Sequence, residues 1–169
     1  RKFILYREER RRIREAGRLK GSLDLAAKGI KVDIDVLYKK VKFACKGLED
    51  SCSVEAVIEE TKKNLFPNIS EKEISQALLL SARTRIEKEP NYTYVTARLL
   101  LDEIYQEVLD TGIAKKNLRE TYKKGFSTYL EKGVKTERLS EELLKFDLEK
   151  ISDAIEPKRD FSFQYLGLQ

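Results

Sequence analysis

The apolar positions of this chain recur mainly at helical spacing, and they break into segments at glycine, proline and capping residues. The sharpest pattern surrounds Pro90. Upstream of it, Ile74, Leu78, Ala82 and Ile86 predict the inward face of a helix from residue 71 to about Glu89. Downstream, Tyr94, Ala97, Leu101, Ile104 and Val108 fall 3, 4, 3 and 4 residues apart, which predicts a second helix to about Leu109 with these five on one buried face. Proline removes an amide donor and disfavours helical backbone in the residue before it, so the two helices meet at a corner.

The same logic divides the rest. Residues 2–16 predict a charged helix with Phe3, Tyr6 and Ile13 on one side and Glu8–Arg12 and Arg11–Glu15 spaced for ion pairs. Gly17, Gly21 and Gly29 interrupt the pattern, and Ile30, Val32 and Ile34 alternate with Lys31 and Asp33 as in one short strand. A helix follows from about Asp35 to Lys46, with Leu37, Val41, Cys45 and Leu48 on its apolar face and Gly47 as its stop. Ser53 caps a helix from Val54 to Leu65 that faces inward with Val54, Val57, Ile58 and Leu65. Ser70 and Glu73 form a capping box at the start of the helix that leads to Pro90. Gly112 marks a boundary, and Asn117 with Glu120 starts a helix carrying Leu118, Tyr122, Phe126, Tyr129 and Leu130. Two shorter helices are predicted near Leu139–Phe146 and Leu148–Ile155, and the aromatic tail from Arg159 to Leu166 reads as alternating or extended.

Composition narrows the chemistry. The 169 residues are 41% hydrophobic and 37% charged, the makeup of one ordinary globular domain or two small ones. No apolar run approaches the roughly 20 residues of a membrane helix, and no secretory leader is evident. The chain opens at Arg1 and has no methionine, which reads as a piece or a processed form of a longer one. There is no histidine and there are two cysteines, too few for a self-contained four-ligand zinc site and none for histidine acid–base chemistry. Cys45 reads as a small buried hydrophobe. The spacing permits a Cys45–Cys52 disulfide, but a chain without secretory features is a poor setting for one. Of the net charge of +5, residues 1–16 supply +4, from seven bases against three acids. The basic excess therefore sits in one terminal helix with Arg10–Arg14, not in a stripe across a folded face, and such a run is usually a solvated surface. Tyr92, Tyr94, Phe161, Phe163 and Tyr165 read first as core and interface aromatics. Gly21 and Gly29 are too isolated to form a phosphate cradle.

Several runs carry a resemblance. Phe3-Ile4-Leu5-Tyr6-Arg7-Glu8-Glu9-Arg10 resembles the closing helix of an ATP-cone, the small regulatory nucleotide domain at the front of ribonucleotide reductase large subunits. Ala44-Cys45-Lys46-Gly47-Leu48, Ser53-Val54-Glu55 and Asn64-Leu65-Phe66-Pro67-Asn68-Ile69-Ser70 are similar to the helix–loop rhythm of a second cone. Pro90-Asn91-Tyr92-Thr93-Tyr94-Val95-Thr96-Ala97-Arg98-Leu99 is the nearest match to its end. Phe146-Asp147, Ile155 and Arg159-Asp160-Phe161-Ser162-Phe163-Gln164-Tyr165 resemble the approach to the reductase body, with Lys158-Arg159-Asp160 where the family has an Asp-Arg-Asp-like turn.

The resemblance covers most of the chain and implies a mainly α fold: a small ATP-cone-like helical domain followed by the start of the all-helical N-terminal domain of a reductase large subunit. Residues 1–16 would close a preceding cone, 17–110 would form a second, degenerate cone, and 111–169 would begin the helical domain. It implies a class I enzyme that reduces ribonucleotides to 2′-deoxyribonucleotides, with ATP and dATP as allosteric effectors. Its partners would be the remainder of the large subunit, on the same or a separate chain, a small radical-generating subunit and further copies in a homo-oligomer, all in the cytoplasm, with no nucleic acid and no membrane. The family's radical cysteine, redox pair and substrate carboxylate belong to a downstream barrel, so no catalytic, cofactor-binding or metal residue is assigned here.

In the cone itself, a phosphate-holding turn of Lys-Arg-Asp-Gly type would be expected, and only Lys20-Gly21-Ser22 stands near that place. Glu71 occupies the aligned position where binding members often have threonine, and Gln106 stands where a lysine would help. This implies loss of nucleotide binding; a Kd for ATP or dATP below about 100 µM would contradict it. Two other classes remain open from sequence. One is a free-standing ATP-cone regulator, which would carry a four-cysteine zinc ribbon upstream. The other is a helical nucleic-acid-binding module using Arg10–Arg14, which salt-dependent binding would reveal.

Overall fold

A computed structural model describes residues 32–109, 112 and 118–169. The helix expected over 2–16, the Lys20-Gly21-Ser22 turn and the cap at Asn117 lie outside these residues. So does Ile30; of its expected strand, Val32 is irregular and Ile34 is already helical. There is no strand among the described residues.

Asp33 starts the first helix, α1 (Ile34–Ala44), because its carboxylate accepts the otherwise free amides of Asp35 and Val36 at 2.9 and 3.3 Å. α1 buries Ile34, Leu37, Val41 and Ala44 and turns off through Cys45 to Gly47, whose φ of +79° is the left-handed conformation a glycine adopts without strain. Ser53 caps α2 (Val54–Lys63) by accepting the Ala56 amide at 3.2 Å. Val57, Ile58 and Thr61 of α2 are buried, and the Thr61 hydroxyl is satisfied by donating to the Val57 carbonyl at 2.8 Å.

The Ser70–Glu73 capping box is present in full at the head of α3 (Glu71–Arg83). The Ser70 hydroxyl accepts the Glu73 amide at 3.3 Å, and the Glu73 carboxylate accepts the Ser70 amide at 2.8 Å. Ser70→Ala removes one arm of this box and is expected to lower stability by about 1 kcal/mol, read as a shift in urea midpoint with an unchanged slope. α3 stops at Arg83, six residues before the expected end at Glu89. The Ser81 and Thr84 hydroxyls donate to the Ala77 and Ser81 carbonyls and compete with the helical ladder. The chain then descends to Pro90 through successive turns, with Ile86 still packed on the core.

α4 (Tyr92–Leu109) is the central element. Its buried residues are Tyr92, Val95, Thr96, Ala97, Leu99, Leu101, Asp102 and Tyr105, which surround most of the helix. The single stripe read from the sequence is therefore only partly right. Ala97 and Leu101 are buried, Tyr94 and Ile104 are half-buried, and Val108 is 47% exposed. The physical reason is that α4 is covered on two sides. α1, α2 and α3 pack on one, around Leu37, Val41, Val57, Leu78, Val95 and Leu99. The C-terminal segments pack on the other, around Leu101, Tyr105 and Leu118.

α5 (Leu118–Lys135) buries only Leu118. A 3-10 helix (Glu141–Lys145) stands where a helix over 139–146 was expected, followed by α6 (Leu148–Ala154) under the Asp147 cap. The tail is not extended as expected. It forms a second 3-10 helix (Pro157–Ser162) and a helical turn, α7 (Tyr165–Leu168). Pro157 at the head of that 3-10 helix presets a helical φ, and tertiary contacts of Asp160 and Tyr165 hold the rest.

Candidate functional site: a groove at two helix N-termini

The N-terminal ends of α1 and α3 open together onto the flank of α4. The groove between them encloses about 620 Å³ and is lined by Val32, Asp33, Val36, Leu37, Lys40, Glu71, Lys72, Ile74, Ser75, Glu103, Gln106 and Glu107. Glu71 and Gln106, the two positions singled out in the sequence for nucleotide binding, thus lie in one cavity although 35 residues apart.

Two converging helix N-termini are by themselves a favourable setting for phosphate, because free amides and the helix dipole attract anions. Here three of those amides, of Asp35, Val36 and Glu73, already have side-chain acceptors. Asp33 occupies the head of α1, and the Ser70–Glu73 box occupies that of α3. The charge of the lining is also adverse: Asp33, Glu71, Glu103 and Glu107 outnumber Lys40 and Lys72. Lys40 is further committed to the buried carboxylate of Asp102 at 2.9 Å, and Gln106 donates to the same carboxylate at 3.1 Å. Burial raises the pKa of Glu103 above the usual carboxylate range. Lys40 opposes the rise and Glu107 and Asp102 add to it, and one oxygen of Glu103 is buried without a partner. The described lining thus offers a triphosphate four carboxylates against two lysines. Among the described residues no cluster of His, Cys, Asp or Glu is arranged to hold a metal ion, and no helix is long and apolar enough to cross a membrane.

The two cysteines are buried and unbridged, at 0% and 3% exposure. Burial pushes the Cys45 thiol up to about 12, with the neighbouring Cys52 adding to it, and the Cys52 thiol up to about 11, with Glu89 adding to it. At pH 8 no more than roughly one in a thousand of either would be thiolate. The native chain is therefore expected to resist a thiol reagent that labels both cysteines once urea is added; full labelling without denaturant would contradict this placement.

Three polar features have only faint sequence signals. Arg98 Nη1 donates to the carbonyls of Ala44 and Lys46 at 2.7 and 2.8 Å, closing the C-terminus of α1. Its signal was an arginine within an otherwise apolar run. The Tyr92 hydroxyl accepts the Ser53 amide at 2.9 Å, tying the Pro90 corner to the head of α2. Tyr105 and Tyr122 both donate to the Asp160 carboxylate, Tyr105 at 2.5 Å, and their hydroxyls lie 2.9 Å apart. The two aromatic motifs also meet: Gln164 donates to the Tyr94 hydroxyl at 3.1 Å, the Tyr165 amide to Thr93 at 3.2 Å, and the Arg83 guanidinium stands 5.7 Å over the Tyr165 ring.

Comparison with known proteins follows the same outline. No family model matches the chain. It is 31% identical, over 99% of its length, to the ribonucleoside-diphosphate reductase subunit alpha of Chlamydia trachomatis, and 33% identical over 79% to that of Chlamydia pneumoniae. Against the subunit alpha of Helicobacter pylori it is 33% identical over 82%. The chain spans 17%, 13% and 16% of these relatives, in their N-terminal part.

Proposed function

This chain belongs by sequence with the N-terminal part of ribonucleotide reductase large (alpha) subunits, and from that premise we propose that it is the regulatory and structural front of such a subunit. The complete enzyme would convert ribonucleoside diphosphates to 2′-deoxyribonucleotides for DNA synthesis. In this reading it is a class I enzyme, cytoplasmic and oligomeric, with ATP and dATP as effectors and a small subunit that generates the radical. Residues 17–110 are an ATP-cone-like unit that has lost its nucleotide site, and residues 111–169 lead into the body of the subunit.

The observation that carries the degenerate-cone reading is the groove itself. Its helix heads are capped from within, its described acids outnumber its described bases, and Lys40 is spent on Asp102. No residue of this chain is given a catalytic role. The cone is an adaptor: α4 carries the groove on one flank through Glu103, Gln106 and Glu107, and the tail on the other through Thr93, Tyr94 and Tyr105.

The function is tested by supplying the full-length subunit with its small subunit and a dithiol reductant and measuring deoxynucleotide formation from a ribonucleoside diphosphate. Turnover is expected, and its absence with an intact radical partner would contradict the reading. The lost site is tested by restoring charge. Glu71→Thr with Gln106→Lys removes one acid and adds one base at the groove, and is expected to give a saturable dATP isotherm where the parent gives none. An unchanged isotherm would show that these positions do not face a nucleotide.

A further inference from the structure

We draw no further inference here: the strongest candidate, the apolar groove between the last turn of α4 and α5 with Val108, Tyr129 and Leu139 exposed along it, carries none because nothing in the structure shows what covers it.

Discussion

Arg98→Ala is expected to lower the unfolding free energy by roughly 2–4 kcal/mol, one of the two largest effects of any polar substitution in this chain. The reason is local and specific. α1 ends at Ala44, and its last carbonyls have no helical partners. Arg98, half-buried on the central helix, donates from one nitrogen to Ala44 and Lys46 and places a cation at the negative end of α1. Burial lowers the guanidinium pKa from its ordinary value, and an arginine is so basic that it stays cationic at neutral pH. Removing it leaves two acceptors unsatisfied at the point where Cys45 and Leu48 enter the core. Arg98→Met keeps the aliphatic stem and should lose nearly as much, which separates the hydrogen bonds from packing. Arg98→Lys should recover part. Urea titration of the three variants reads this directly; a loss in Arg98→Met below about 1 kcal/mol would show that packing, not the carbonyl clamp, is the role.

The second large effect is expected at Asp160. Its carboxylate takes hydroxyl donors from α4 and α5 at once, and so fastens the tail to both helices. Both hydroxyls meet the same oxygen, Oδ2, so Asp160→Ala removes a charged double acceptor and leaves the donors of buried Tyr105 and half-buried Tyr122 without it. We expect a loss of roughly 2–3 kcal/mol and faster hydrogen exchange over 157–168. Tyr122→Phe, which leaves Tyr105 in place, should cost about half as much.

The same cluster has a pH signature. Burial, together with the hydrogen bond to Asp160, pushes the Tyr122 hydroxyl from its ordinary 10 up to about 12, and raises Tyr105 for the same reasons. A folded-state pKa above the unfolded one means that the unfolded chain loses these protons first. The stabilisation is thus complete below pH 10 and is lost as pH rises through about 12. Tyr122→Phe should flatten that alkaline loss, and an identical alkaline profile in the variant would exclude Tyr122 as its source.

What the sequence made legible was local. The Ser53 and Ser70 caps, the helix restart just after Pro90 and the buried character of Cys45 each depend on residues within a turn or on a helical period, and each stands where the pattern placed it. What it concealed was tertiary. Arg98 reaches carbonyls more than 50 residues upstream, and Asp160 reaches hydroxyls 55 and 38 residues upstream, and neither leaves a periodic trace. Five apolar residues of α4 fit a single face and so predict a one-sided helix. The run Leu99-Leu100-Leu101, which no single face can hold, was the sign that the helix is enclosed. The alternating aromatics of the tail suggest extended chain, whereas Pro157 presets the start of a 3-10 helix. Of the candidate groove, Glu71 and Gln106 were legible only through the resemblance, while the pairing of Lys40 with Asp102 needed the fold.

Titration of dATP into the 169-residue chain, followed calorimetrically in low salt, tests the lost nucleotide site most directly. The account predicts no saturable heat up to about 1 mM nucleotide, because the helix heads are already capped and the groove is acidic. A single-site isotherm with a Kd below about 100 µM would contradict it and restore this unit as a working effector domain.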